Sequence, residues 1–275
     1  MEKETWLLWL LADSQLPTGG FVASAGLEAA MQAGLVSGRA ADDASNSLTE
    51  FIRDSAHNQA RFALPFCSRA YEGAAERLAR VAEDAGANDG TAIAAMVTDF
   101  CDLDSYHHVM LSSNRVAMRA SLAQGGGLLS LFIRGYALAN FMADRRGQTC
   151  VGVAKQLQRL SRLGEAKVHW PTVFGFVCAA LGVSLVHAQQ LYMFQFVRQV
   201  FSAAIRLNLV GPLRAQTLEC DMHPYVSDLL KQYSGLRAAF GSTDDLFGES
   251  AVYTEPILEL YQGMHDRLYS RIFNS

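Results

Sequence analysis

The chain has 275 residues, half of them apolar, and its formal net charge is −4. That length allows one large domain or two small ones, and the apolar half is enough for a sizeable core. The negative balance argues against a surface that binds nucleic acid or anionic membranes. Charged residues make up only 18%, which indicates either apolar surface covered by another chain or simply a large, well-buried domain.

The first predicted helices lie on either side of a glycine-rich turn. Apolar residues recur at helix spacing over 6–11 and again over 27–35, where Gly34 is expected to end the second helix. The apolar run 6–12 is too short for a membrane span and has no cleavage-like site after it. A third helix is predicted over 46–58, where apolar residues occupy one side.

The middle of the chain predicts helices that are separated by a loop and by glycines. Residues 61–81 fit a helix that Pro65 bends or divides, and the small polar residues 82–90 fit a flexible loop. The triple glycine 125–127 has no strand before it and no lysine after it, so it indicates a helix break and not a phosphate-binding loop. The other helices predicted in this part span 91–104, 105–124, 128–143 and 152–163.

The last third of the chain contains the most apolar predicted helices. Pro171 suits the first turn of an apolar helix over 173–181, where its missing N–H costs nothing. The long helix 188–209 has apolar residues on most sides and is expected at the centre of a bundle. Further helices are predicted over 213–222, after Pro224 and from about Pro256, with a loop over 241–248 before the last one.

Sustained alternation of apolar and polar residues, which would indicate strands, does not occur. The sequence therefore predicts an all-α fold, a single-domain bundle of roughly ten helices over residues 1–275. The cysteines are far apart, odd in number and without a Cys-x-x-Cys pair, which predicts buried thiols in a reducing, cytoplasmic compartment. These cysteines are Cys67, Cys101, Cys150, Cys178 and Cys220.

Residues 13–28 form the segment that is hardest to explain as generic helical protein. A bundle needs only a short connection here, so a turn of this composition indicates a functional surface. Asp13 and Glu28 flank the turn, but an acid–base pair would also need a pocket and a third group, and the sequence reveals neither. Asp13 is more simply a turn acceptor, whereas Glu28 is left as either a solvent-facing or an interface residue. The residues that shape the turn are Pro17, Thr18, Gly19, Gly20 and Gly26.

The histidines do not form a recognisable metal motif. His107 and His108 are adjacent and so point to different faces of a helix, and Asp104 with His108 is more often a surface ion pair than a metal site. His169 fits a capping or packing role. Arg206 lies in a nearly apolar helix, where a cation has to snorkel, pair internally or meet a partner. The sequence thus predicts no metal site and no catalytic residue.

Several blocks, in chain order, resemble the urease accessory protein F (UreF) family. The first is Leu16-Pro17-Thr18-Gly19-Gly20-Phe21, followed by Ser24 and Gly26-Leu27-Glu28. At Ala23 the family usually has a histidine or an aromatic residue, so a role that needs a ring there is in doubt. The other blocks, which together cover most of the chain, are Leu103-Asp104, Ala120-Ser121, Gln124-Gly125, Leu128-Leu129, His169 with Pro171, Phe174-Gly175, Ser202 to Leu207, Gly211, Gln216, Asp244-Asp245, His265-Asp266, Leu268 to Phe273, and Ser275.

The resemblance implies an all-α protein that is not itself an enzyme and has no cofactor of its own. It implies a homodimer that binds a UreD-type protein, called UreH in some organisms, and with it recruits UreG, a nickel-binding GTPase. Such an assembly inserts nickel into apo-urease, coupled to GTP hydrolysis, so that the partners handle the nickel and the GTP. The chain itself would position those partners and bias the GTPase between its conformations.

The resemblance also implies where partners bind. In the family the closing segment, here 256–275, helps to dock the UreD partner. Tyr269, Arg271 and Phe273 would then form an aromatic–arginine cluster of the kind that makes binding hot spots. The alternative is that Phe273 merely packs the last helix onto the bundle. The remaining candidates for partner contact are Glu28 and Arg206.

Two other functions stay open beside this one. The first is a direct nickel carrier that uses His107, His108 or His169, which equilibrium dialysis of the purified chain would detect. The second is a small-molecule enzyme that works at the turn between Asp13 and Glu28, in which a Glu28→Gln change would abolish turnover.

Overall fold

The structure is a computed structural model that describes residues 1–37, 41–83, 89–238 and 251–274, with side chains described outside 41–46. In this part of the chain every regular element is helical and one hydrophobic core holds them together, which confirms the predicted all-α class. The α-helices are α1 (Lys3–Ala12), α2 (Leu27–Gln32), α3 (Ala41–Asn58), α4 (Leu64–Glu83), α5 (Asp89–Met110), α6 (Arg115–Arg134), α7 (Arg145–Arg162), α8 (Trp170–Leu181), α9 (Leu185–Arg206), α10 (Pro212–Tyr233) and α11 (Pro256–Met264). The shorter elements are 3-10 turns at Gly20–Val22, Tyr136–Leu138, Asn140–Met142 and His265–Arg267, and a π-helical segment at Gln59–Ala63.

Helix α8 lies at the centre of the bundle. Every residue from its second position to its end is buried, and it packs mainly against α4 and α6. A Cβ at Gly175 would lie 2.1 Å from the Cys67 carbonyl oxygen, so this glycine lets α8 cross α4 at close range. Helix α9, which was also expected at the centre, packs against α1, α2, α3, α4, α8 and α10, although Phe194 leaves part of one side exposed.

The triple glycine does not break a helix, because it lies inside α6. A Cβ at Gly125 would lie 2.0 Å from the Val168 carbonyl oxygen, and one at Gly127 would lie 2.9 Å from the Thr18 carbonyl oxygen. The two glycines therefore allow close backbone contacts with the segment before α8 and with the glycine turn. The true break comes at 111–114, where the Asn114 side chain caps α6 by accepting the Ala117 N–H at 3.0 Å.

Two prolines stand in helical surroundings without ending them. Helix α10 continues through Pro224, so the predicted division after residue 222 is wrong. Pro65 is the second residue of α4, which begins where the π-helical segment from α3 ends. Proline lacks an N–H and clashes with the carbonyl four residues earlier, here that of Arg61, which lies in the wider π turn. The bend expected at Pro65 is thus accommodated within one long helical run.

Some expected segments fall partly or wholly outside the described residues. The predicted loop 82–90 is described only at its ends, where α4 finishes at Glu83 and α5 begins at Asp89. The predicted loop 241–248, with Asp244 and Asp245, lies outside the described residues, as does Ser275.

One helical stretch in the described part of the chain, residues 115–138, is long and apolar enough to cross a membrane on length and composition alone. A third of its most apolar window is buried in the bundle. Its helix α6 packs against α7, α8 and α11. A single stretch of this kind is weak evidence for a membrane span.

Candidate functional site

One side of the glycine turn packs against the bundle, while Pro17, Gly19 and Phe21 are exposed. Gly19 and Gly26 have φ of 81° and 87°, in the left-handed region that glycine adopts without strain. A Cβ at Gly26 would lie 3.0 Å from the Gln262 Cβ on α11. A Cβ at Gly20 would lie 3.1 Å from the Gln199 side-chain oxygen on α9. The turn is therefore fitted between α6, α9 and α11. Of the remaining shaping residues, Thr18 is buried and Pro17 lines a groove beside the turn.

Glu28 points into the protein, so the expectation that it is presented to a partner is corrected. Its side chain is almost completely buried, and its carboxylate accepts backbone N–H groups from Ile272 at 2.6 Å and Phe273 at 3.1 Å. Two N–H donors compensate the desolvation of the buried carboxylate. Glu28 therefore attaches residues 272 and 273 to the turn. From the sequence it had been interpreted as a surface or interface residue.

Further contacts hold the same closing residues. The Asn274 N–H donates to the Val22 carbonyl at 2.9 Å, which attaches the chain end to the 3-10 turn after Gly19. Buried His265 contacts the Phe273 carbonyl through Nε2 at 3.1 Å. Arg119 on α6 donates to the Asn274 carbonyl at 2.8 Å. Residues 272–274 are thus held by backbone and side-chain bonds to three separate parts of the bundle.

Arg206 pairs internally with two aromatic rings. Its guanidinium carbon lies 3.7 Å from the Phe21 ring centroid and 4.2 Å from that of Phe273, so the cation is stacked between the turn and the closing segment. One guanidinium nitrogen also donates to the Phe21 carbonyl. Partial burial lowers the pKa of Arg206 from its ordinary value. Phe21 keeps 61% of its surface exposed, so the outer side of this stack can still meet a partner.

The predicted docking cluster divides into an inner and an outer part. Phe273 is 2% exposed and packs against the core. This agrees with the alternative interpretation, in which Phe273 packs the end of the chain onto the bundle. Tyr269 is fully exposed, and exposed Arg271 contacts Asp266 at 3.3 Å. Other large apolar side chains of the closing segment are also exposed: Ile257, Leu260, Met264 and Ile272.

A surface groove of about 740 Å³ runs beside the turn, between residues 12–21 and α9. Arg198 and Glu219 form an ion pair at 2.8 Å on its wall. Asp13 lines this groove and its carboxylate accepts the Gln15 N–H at 2.9 Å, as a turn acceptor does. Glu28 is not part of the groove lining, so the structure does not bring the two flanking carboxylates together in it.

The structure brings together His107, His108 and His169, the three histidines named for the nickel-carrier alternative. His169 Nε2 lies 3.0 Å from His108 Nδ1, and its ring meets the His107 ring edge to face at 4.8 Å. His169 Nδ1 lies 3.1 Å from the Ser121 hydroxyl. Burial lowers the pKa of His169 to about 3, so it is too weak a base to activate that serine near neutral pH.

Asp104 explains why the histidine cluster forms. It is buried, so the surface ion pair predicted with His108 is wrong. Its carboxylate accepts the Val168 N–H at 2.6 Å, the His169 N–H at 2.9 Å and the Thr172 hydroxyl at 2.6 Å. These bonds fix the start of α8 against α5. Within the described ranges, no group of three or more His, Cys, Asp or Glu side chains is arranged to hold a metal ion.

Comparison with known proteins identifies relatives along the whole chain. The UreF family model matches residues 42–223. Urease accessory protein F of Oryza sativa subsp. japonica is 31% identical over 272 residues, which cover 99% of this chain and 85% of the relative. Urease accessory protein F of Arabidopsis thaliana is 31% identical over 277 residues, covering 98% and 92%. Urease accessory protein 6 of Cryptococcus neoformans var. grubii is 28% identical over 319 residues, covering 99% and 98%.

Proposed function

We propose that this chain, which belongs to the UreF family of urease accessory proteins, is a scaffold that bridges a UreD/UreH-type protein and a UreG-type GTPase. Family membership supports a role in urease maturation. The finer proposal is that the bridged assembly inserts nickel into apo-urease and that the chain modulates GTP hydrolysis by contacting the GTPase differently in its two states.

The observation that carries the proposal is the attachment of the closing segment to the glycine turn. Glu28 holds residues 272 and 273 by their backbone N–H groups, while Tyr269 and the apolar side chains of α11 face outward. A preformed apolar surface with aromatic and arginine side chains suits a protein partner, because little ordering entropy is lost when it binds. We assign this surface to the UreD/UreH-type protein.

The same proposal covers the other properties of the chain. We place nickel and GTP on the partner proteins, so the chain works without a cofactor of its own and is not an enzyme. We expect it to act as a homodimer in the cytoplasm. The direct nickel carrier is less well supported, because the clustered imidazoles of His108 and His169 bond to each other and His169 also bonds to Ser121.

Co-purification tests the assignment of the docking surface. The chain would be co-expressed with the UreD/UreH-type protein, and Tyr269→Ala is expected to reduce the amount retained by about tenfold, as loss of a hot-spot side chain does. Leu163→Ala, which changes an exposed residue at the end of α7, is the control and should leave binding unchanged. Equal retention of the partner by both variants would contradict the proposed surface.

A further inference from the structure

A small chamber adjoins Ala23 and Ala25 in the second half of the glycine turn. It has a volume of about 120 Å³ and is walled by the π-helical segment and by α5, α6, α8 and α9. That space is enough for several water molecules or for a ligand of a few heavy atoms. Among the residues that the structure describes, no Asp, Glu, Lys or Arg side chain lines it. An ion inside would have no counter-charge, so the chamber suits an uncharged occupant.

Three polar side chains of the wall lack hydrogen-bond partners among the described residues. His107 is 2% exposed and its Nδ1 is unpaired. The Gln195 side-chain oxygen is also buried and unpaired, because only its amide nitrogen is engaged, at 2.5 Å from the Leu11 carbonyl. Gln124 is 8% exposed and forms no hydrogen bond with the described part of the chain. Buried polar atoms in folded proteins are nearly always paired, so His107 Nδ1 and the Gln195 side-chain oxygen indicate an occupant.

The wall also carries backbone features that are typical of functional sites. The π-helical segment contributes Phe62 and Ala63, and π turns of this kind recur at functional sites. Ala25, another lining residue, has φ of 53°, which is a strained conformation for a residue with a Cβ. Gln124 and Gln195 line both the chamber and the outer groove. The chamber and the groove therefore adjoin at these two side chains.

We propose that the chamber binds a small primary amide. The carboxamide of Gln124 supplies a free N–H donor, and Gln195 supplies a free carbonyl acceptor. A primary amide is complementary to both, because it has a carbonyl oxygen and an N–H₂ group in one plane. Its short apolar part would face Phe62 and Phe196.

His107 adds selectivity against charged relatives of an amide. Burial lowers the pKa of His107 well below its ordinary value, so its ring is neutral and can hydrogen-bond but cannot pair with a carboxylate. A carboxylic acid of the same shape would have to enter as an anion with no cation on the wall. The site is therefore expected to accept acetamide and to reject acetate.

Binding of acetamide to the full-length chain tests the proposal, with saturation-transfer NMR as the readout. We expect saturable acetamide binding and no acetate binding. Gln195→Leu should weaken the acetamide affinity about tenfold, since it removes one buried hydrogen bond. Gln216→Leu is the control, because Gln216 lines the outer groove and not the chamber. Its affinity should match that of the unchanged chain.

A second measurement on the unchanged chain keeps the test decisive if Gln195→Leu fails to fold. The NMR signals of the histidine rings of the unchanged chain would be followed during the acetamide titration. The His107 signals should shift with the same acetamide affinity that saturation transfer gives. The proposal is overturned if acetamide does not saturate, if acetate binds equally well, if Gln195→Leu binds unchanged, or if the His107 signals stay still. Because no partner protein is present, these outcomes are independent of the proposed scaffold function.

Discussion

Replacing Glu28 with glutamine tests whether the glycine turn holds the closing segment. The Glu28 carboxylate is 1% exposed and accepts the N–H groups of Ile272 and Phe273. Glutamine keeps the volume and one acceptor oxygen but turns the other into an N–H₂ donor, which faces a backbone N–H. A hydrogen bond to a charged group contributes about 1.5–3 kcal/mol. We therefore expect a loss of about 2 kcal/mol and a detached population of the chain end that rises about 30-fold.

Hydrogen exchange measures this detachment directly. The amides of residues 272–274 should exchange faster in Glu28→Gln by about the same factor, because exchange follows local opening. Asp13→Asn is the matched control at the other end of the turn, where the carboxylate accepts the exposed Gln15 N–H and no other bond from the described residues. It should leave the exchange of residues 272–274 unchanged. Unaltered exchange in Glu28→Gln, or an equal increase in both variants, would refute the role assigned to Glu28.

Two further predictions concern helix packing and acid stability. Gly125→Ala should destabilise the fold by about 3 kcal/mol, because the new Cβ would lie 2.0 Å from a backbone carbonyl oxygen. Gly126→Ala, whose Cβ would have nothing within 4 Å, should instead stabilise the fold by about 1 kcal/mol. Denaturant midpoints that shift in the same direction in both variants would contradict this prediction. The pKa of Glu4 is lowered from 4.5 to about 2, chiefly by the Ser184 backbone N–H and then by His187, so the stabilisation is complete above its ordinary pKa and is lost as the pH falls toward 2. The melting temperature of Glu4→Gln should therefore fall less than that of the unchanged chain as the pH is lowered over that range. An equal fall in both proteins would count against the stabilising role of the Glu4 contacts.

Local sequence patterns were sufficient for the fold class and for most helices. The apolar run 173–181 identifies α8, because a helix that is apolar on all sides must be buried. The glycines 125–127 misled the prediction of helix ends, since glycine lowers helix propensity but here permits close approach of Val168 and Thr18. Whether low helix propensity ends the helix or close packing preserves it depends on the tertiary neighbours of the glycines. These neighbours cannot be inferred from the local sequence.

The sequence drew attention to the glycine turn, but it did not predict the contacts of Glu28 inside the protein. The composition of residues 13–28 correctly marks an irregular turn with left-handed glycines. Glu28, however, bonds to Ile272, which is 244 positions away in the chain. No periodicity or spacing connects residues so far apart. A signal was present in retrospect: Glu28 stands in an otherwise apolar segment, and a buried carboxylate requires donors.

The contacts of Glu28 change how effects of the turn on partner binding should be interpreted. Because Glu28 is buried, a substitution there cannot remove a direct contact with a partner. It would release the backbone of residues 272 and 273 and, with them, Arg206 from its position between Phe21 and Phe273. Partner binding that is lost in Glu28→Gln would therefore report on the order of the proposed docking surface. The turn and the closing segment are then one functional unit, although they lie at opposite ends of the chain.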